Sequence, residues 1–275
     1  MKKVTIIGLG WVGLPLAQAL LANDWQVSGT KTTTDGVDAA RAVGIDAYSL
    51  TLTPELDCDP EDLTQLMSDS DALVILLPPS KVNVEQYVEA IERLVNCAVT
   101  FRVPKVIFTS STSVYGEQNG ELTEDAERKG TTASARALIA AEQWLHQLPN
   151  ISVDILRLAG LVGEKRHAGR FLAGKTDVKG AHQPVNMVHQ DDVIAAIFLL
   201  LQQPLSNHIY NLCAPMHPTR AEFYHQAAQS VGLVPPEFID LENEPNGKII
   251  NGNKICAELG FEYQYPNPNS MAMTL

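Results

Sequence analysis

The sequence is poor in cysteine, and its cysteines do not cluster. Cys58, Cys97, Cys213 and Cys256 stand alone, with no C-x-x-C pair and no histidine at zinc-finger spacing. That argues against a disulfide framework or a structural zinc site and fits free thiols in a reducing compartment. The seven histidines are scattered and no H-E-x-x-H occurs, so no metal is expected. Basic residues are scarce as well: 20 Lys and Arg stand against 32 Asp and Glu, a net charge of −12. Without a basic face there is little counterion release to gain, so nucleic acid is not an expected partner. Long apolar runs are missing too, and Val193–Leu201 is too short to span a bilayer. The opening MKKVTIIGLG places two lysines before apolar residues, but Gly8, Gly10, Gly13 and Pro15 break the run. The reading is a soluble, cytoplasmic protein without membrane contact.

What is present is an alternation. Val4–Ile7, Gln26–Gly29, Asp46–Leu52, Ala72–Leu77, Lys105–Thr109 and Val153–Leu158 read as strands. Between them, Leu14–Ala22, Gly36–Val43, Pro60–Met67 (opened by Asp59) and Val84–Phe101 read as helices, with a further helix in TTASARALIAAEQWL, Thr131–Leu145. Apolar strands alternating with helices predict a parallel sheet covered on both faces, with right-handed crossovers. After Gly160 the rhythm breaks. Residues 163–183 read as a Gly-rich charged loop, and Val185–Val188 as a short apolar piece. Asp191 or Asp192 is expected to cap a helix running to Leu201; Ile209–Leu212 reads as a strand and Thr219–Val231 as a helix. Residues 1–162 with 184–212 are expected to form the sheet domain, and 163–183 with 213–275 a smaller lobe.

The chain begins with strand, G-x-G-x-x-G and helix in succession, VTIIGLGWVGLPLA. Gly8 permits the tight turn, Gly10 lets a pyrophosphate approach the backbone, and Gly13 lets helix and strand pack closely. The helix N-terminus adds N–H donors and partial positive charge, and Pro15 is tolerated in the first turn. The motif sits where dinucleotide binding requires it. The expected cofactor contacts are Gly8, Gly10, Trp11, Val12 and Gly13, with Leu77, Pro78 and Pro79 at the end of the fourth strand. An NAD site places an acid about 20 residues on, against the ribose 2′-hydroxyl. Here Thr30, Lys31 and Thr32 occupy that position. Hydroxyls and a cation suit a 2′-phosphate, so NADP is preferred and NAD is the alternative.

Further segments complete a pattern. FTSSTSVYG (Phe108–Gly116), ILRLAGLVG (Ile155–Gly163), NMVHQDDVIAAI (Asn186–Ile197), IYNLCAPMHPTRAEFY and GKIINGNKICAELGFEYQYP follow in order over nearly the whole chain. Together they resemble the extended short-chain dehydrogenase/reductases, the NAD-dependent epimerase/dehydratase family, in an atypical branch. The resemblance implies a Rossmann-like α/β fold, a doubly wound parallel sheet with a smaller C-terminal substrate lobe. It also implies a small-molecule substrate, a nucleotide-sugar or another carbonyl or alcohol. It further implies a homodimer through helices flanking the sheet, of which 131–145 would be one, although Ala and Leu at helical spacing are equally explained by packing on the sheet.

The family's chemistry uses a Tyr-x-x-x-Lys pair, one helical turn apart, in which the lysine lowers the tyrosine pKa. Counting back from Glu142, those positions hold Ser134 and Leu138; a register two residues earlier gives Thr132 and Arg136. The pair is absent in both. Ser111 matches the family's polarising Ser or Thr, and Tyr115 is the nearest phenol, so these two are the catalytic candidates. Arg166, Arg170, Phe171 and His189 are substrate candidates, with Lys175 and Lys179 in the same loop. His189 and Asp192 also admit anchoring roles, and Arg220 and Glu222 read as serving the start of their helix. Two functions follow: an oxidoreductase or epimerase-like enzyme with a non-standard acid–base set, or a catalytically inactive dinucleotide-sensing regulator acting through a protein partner.

Overall fold

The computed structural model describes residues 2–51, 56–79, 83–149, 151–239 and 246–275. Along the chain run β1 (Lys3–Ile7), α1 (Gly13–Leu21), β2 (Gln26–Lys31), α2 (Thr34–Ala42), β3 (Asp46–Ser49), α3 (Pro60–Met67), β4 (Ala72–Ile75) and α4 (Val84–Thr100). Then come β5 (Lys105–Ser111), β6 (Gly120–Leu122), α5 (Ala133–His146), β7 (Ser152–Leu158), β8 (Gly160–Val162) and α6 (Gly169–Leu172). The chain continues with β9 (Met187–His189), α7 (Gln190–Gln202), β10 (Ile209–Leu212), α8 (Arg220–Ser230), β11 (Lys248–Ile250) and α9 (Asn253–Leu259). A seven-stranded parallel sheet has the order β10-β7-β5-β4-β1-β2-β3. The order reverses between β1 and β4, so this is a doubly wound, Rossmann-like sheet with its crevice beyond the carboxyl ends of those two strands.

Two compact units divide the chain. The first comprises Met1–Val114, Thr131–Leu156 and Ala196–Ile209; the second comprises Tyr115–Gly130, Arg157–Ala195 and Tyr210–Leu275. In the first unit, strands with apolar residues on both faces are buried on both faces: β4 has no exposed residue, and Ile6, Ile7, Leu73, Val74, Ile75, Val106, Ile107 and Phe108 are fully buried. Helix starts follow local chemistry. Thr33, Asp59, Asn83 and Thr132 each accept a backbone N–H from the first turn of α2, α3, α4 and α5. In the second unit, β6 pairs with β11, and β8 with β9. Around them Val162, Ala168, Met187, Phe223 and Tyr224 form a core against which Phe171 and Phe238 pack.

Several expected boundaries move. The strand expected over Ala72–Leu77 ends at Ile75, and the buried Tyr87 phenol donates to the Leu77 carbonyl at 2.8 Å, drawing it to α4. The strand expected over Asp46–Leu52 ends at Ser49, and Leu52 lies outside the described residues. Neither Asp191 nor Asp192 caps α7, which already begins at Gln190. The Asp192 carboxylate instead accepts the N–H groups of Gln264 (2.7 Å) and Tyr265 (3.3 Å). The tail, without clear periodicity, contains β11 and α9.

At the start of β5, Lys105 Nζ is buried 3.6 Å from the Asp154 carboxylate. It also donates to the carbonyls of Leu200, Gln203 and Pro204. Asp154 accepts from the Ser206 hydroxyl and the His208 N–H. Removing one partner of a buried pair strands the other charge. We expect Asp154→Ala to cost about 3–5 kcal/mol in urea unfolding; a loss below about 1 kcal/mol would show that the pair does not hold β5 to β7.

Candidate functional site

The glycine turn is fixed by steric contact. A Cβ on Gly13 would lie 2.1 Å from the Gly8 carbonyl oxygen, so only glycine lets α1 approach β1 this closely. Gly8 has φ +102° and donates its N–H to the Thr30 hydroxyl at 3.0 Å. Leu9 is buried between these glycines; its N–H donates to the Thr30 carbonyl, and its side chain fills the space a Cβ on Gly29 would occupy. The turn is therefore locked to the end of β2. It is also locked to the end of β4, because the Leu76 and Leu77 side chains lie 3.2 and 3.1 Å from the missing Cβ positions of Gly13 and Gly8.

Gly10 is the exception. Nothing lies within 4 Å of the position its Cβ would take, and the residue is exposed. An open backbone at the start of a nine-residue helix is the cradle a pyrophosphate needs. The residues present thus fit a dinucleotide. Trp11 and Val12 lie half-buried beside Gly10. Lys31 closes β2, half-buried, its stem beside Gly36, and Thr32 is exposed. Pro78 is exposed and Pro79 half-buried, with the Pro79 carbonyl 3.4 Å from the Ser134 hydroxyl. The structure therefore brings together Gly8, Gly10, Gly13, Thr30 and Leu77. Leu9, Gly29, Leu76 and Tyr87 complete the arrangement. Sequence reasoning missed these four, because their contacts join residues far apart in the chain.

Ser111 ends β5, half-buried, and its hydroxyl accepts the Ser113 N–H at 3.1 Å, leaving its own hydrogen free to donate. On α5, Ser134 is exposed and Leu138 is 4% exposed, packed as an apolar residue. In the other register Thr132 is spent as the helix cap, and Arg136 donates to the Thr131 carbonyl at 2.5 Å. Neither register leaves an acid beside a free cation. Thiols offer no substitute nucleophile: burial pushes Cys58 up to about 11 and Cys213 up to about 12.

Two candidates need correction. Tyr115 is fully buried; its hydroxyl donates to Asn211 Oδ1 at 2.6 Å and accepts from Arg157 Nη1 at 2.8 Å. Burial pushes its pKa up, only partly opposed by the Arg157 guanidinium. It is a bolt within the second unit, not an open proton donor. His189, read either as a substrate contact or as an anchor of its turn, is 3% exposed with both ring nitrogens taken, which leaves the anchor and not the substrate contact. Nδ1 accepts the Asp191 N–H and Nε2 donates to the Ala272 carbonyl at 2.6 Å, while the ring lies against Tyr265. Of the other substrate candidates, Arg166 donates from Nε to the Leu161 carbonyl, Arg170 is exposed on α6, and Phe171 joins the core beside Tyr224. Lys175 and Lys179 are exposed. Among the described residues no cluster of His, Cys, Asp or Glu could hold a metal, and no helix is long and apolar enough to cross a membrane.

The Tyr115 bolt makes a prediction. Tyr115→Phe should destabilise the protein by about 1–3 kcal/mol in chemical denaturation, because Asn211 and Arg157 lose a buried partner. Unchanged stability would contradict the bolt.

Comparison with known proteins agrees with this geometry. The family model described as NAD dependent epimerase/dehydratase family matches residues 4–213. The chain is 56% identical over 275 residues to Protein YeeZ of Escherichia coli (strain K12), covering 99% of this chain and 100% of that protein. Among solved structures it is similar to UDP-glucuronic acid 4-epimerase from Bacillus cereus in complex with NAD, with TM-score 0.81 at 18% identity over 97% of this chain and 93% of that one. A functionally unknown conserved protein from Silicibacter pomeroyi gives TM-score 0.79 at 23% identity, over 98% and 96%. These two likenesses are of fold. With the family match over most of its length, and a full-length relative, the chain belongs to the NAD dependent epimerase/dehydratase family.

Proposed function

We propose that the first unit binds a nicotinamide dinucleotide, NADP(H) in preference to NAD(H). We further propose that the protein is an oxidoreductase or epimerase-like enzyme for a nucleotide-sugar or another carbonyl or alcohol. The observation that carries this reading is the open backbone at Gly10, in a turn locked against β2 and β4 at the switch point of the sheet. Family neighbours support the substrate class: one solved relative is MoeE5 in complex with UDP-glucose and NAD. The 2′-phosphate reading rests on Lys31 and Thr32, where no carboxylate stands to meet a 2′-hydroxyl; Thr30, expected beside them, is buried and its hydroxyl is taken by the Gly8 N–H.

When bound, the nicotinamide supplies or accepts a hydride. The amides after Gly10 and the α1 terminus would hold the pyrophosphate, and Lys31 the 2′-phosphate. The Ser111 hydroxyl can donate to a substrate oxygen and polarise a carbonyl. The family's phenol–lysine pair is not there to move the proton, so Ser111 is the one catalytic residue proposed for this chain. The buried Leu138 and the locked Tyr115 favour a second reading, a dinucleotide sensor without turnover that acts through a protein partner.

Titration with NADPH and NADH, followed by a turnover assay on a panel of carbonyl and nucleotide-sugar substrates, separates these readings. Substrate-dependent oxidation of the cofactor supports the enzyme; tight binding without turnover supports the sensor; absence of dinucleotide binding refutes both. Gly10→Ala should keep the melting temperature and lose at least about tenfold in dinucleotide affinity, whereas Gly13→Ala should lose stability outright. Lys31→Ala should weaken NADPH about tenfold more than NADH. Equal losses would overturn the 2′-phosphate assignment.

A further inference from the structure

The second unit holds a cavity of about 350 Å³ between α8 and residues 268–273. That volume falls at the lower end of the range for small-molecule sites. Phe223 and Met271 are buried in its wall, and Met273 packs against the same core. Gln226 and Ser230, also of the wall, are exposed, so the space is reached from solvent. Among the described residues that line it there is no Asp, Glu, Lys or Arg.

One side chain of the wall is buried and only half used. His167 is 5% exposed, and its Nδ1 accepts the Gly169 N–H at 3.0 Å, which leaves the ring hydrogen on Nε2. Nε2 has no hydrogen-bond partner among the described residues. It is not sealed from solvent, and the space that His167 borders is this cavity. Burial and the Arg170 cation push the His167 pKa down, so the ring is neutral at pH 7. The ring is also held in place. A Cβ on Gly169 would lie 2.4 Å from the Ala227 carbonyl oxygen and 3.0 Å from His167 Nδ1, so α6 meets α8 with the imidazole at the contact. Accepting an N–H two residues on does not call for histidine, since Asn, Asp or Ser does the same. The part that the fold leaves unused is the Nε2 hydrogen.

We propose that this cavity binds an uncharged aromatic molecule bearing a hydrogen-bond acceptor, with His167 Nε2 as the donor that orients it. The wall sets each part of that description. With no charged side chain to replace its water, an ion would enter at a net cost. A fixed N–H selects for an acceptor on the ligand. Phe223 and the thioethers of Met271 and Met273 suit an aromatic ring. The site lies wholly within the second unit, so it stands apart from the dinucleotide reading, and no nucleotide enters its test.

The test uses the full-length protein, isotope-labelled at the methionine methyls and followed by NMR, with three probes. Acetophenone has the ring and an acceptor, ethylbenzene lacks the acceptor, and benzoate carries a charge. Acetophenone should shift the Met271 and Met273 methyl signals saturably, with Kd at or below about 1 mM, and leave those of Met67 and Met216 in place. Ethylbenzene and benzoate should each bind at least about fivefold more weakly. His167→Asn should weaken acetophenone binding by at least about fivefold while keeping the melting temperature, because Asn can still accept the Gly169 N–H. The site is refuted if acetophenone leaves the Met271 and Met273 signals unmoved, if ethylbenzene binds as tightly, or if His167→Asn binds acetophenone as wild type does. Were that variant to unfold, ethylbenzene against acetophenone on the wild type still decides.

Discussion

The approach of α1 to the Gly8 carbonyl sets the geometry of the whole carboxyl end of the sheet. At 2.1 Å from that oxygen there is no room for any side chain at Gly13, and from this one contact the rest follows. With α1 that close, Leu9 must turn inward, and it finds space only because β2 carries Gly29 opposite it. With Leu9 seated, Gly8 meets the Thr30 hydroxyl, and the Leu76–Leu77 step after β4 closes the other side. Tyr87, from α4, then holds the Leu77 carbonyl. Gly10 is left facing open space in an otherwise filled neighbourhood.

The same packing logic explains what is missing. The helix that carries an acid and a cation elsewhere in the family packs here through Leu138, and its first turn is closed by Thr132. Tyr115, the obvious replacement, is tied to Asn211 and Arg157, and burial raises its pKa. A phenol so placed stabilises the second unit and cannot readily give up a proton. The chain thus carries a glycine turn that fits a dinucleotide and lacks the family's acid–base pair. Ser111 retains a hydroxyl hydrogen to offer.

Much of this was legible in the sequence where the signal is local. The strand–glycine–helix opening, the cap Asp59, the buried strands and the absent Tyr-x-x-x-Lys all lie within short windows. What escaped depends on partners distant in the chain. Thr30 meets Gly8 22 residues away, His189 meets Ala272 83 residues away, and Tyr115 meets Asn211 96 residues away. No periodicity records such pairings. The three-residue strands β6 and β11 are too short to show alternation, so their parallel pairing across the second unit was invisible as well.

Hydrogen–deuterium exchange with and without NADPH tests the central claim most directly, because it reads the turn itself and needs no substrate. Slower exchange is expected on NADPH addition in the peptide covering Gly8–Leu14 and in the one covering Leu76–Leu77, with little change at the Lys105–Asp154 end of the sheet. Unchanged exchange at Gly8–Leu14 under saturating NADPH and NADH would contradict it.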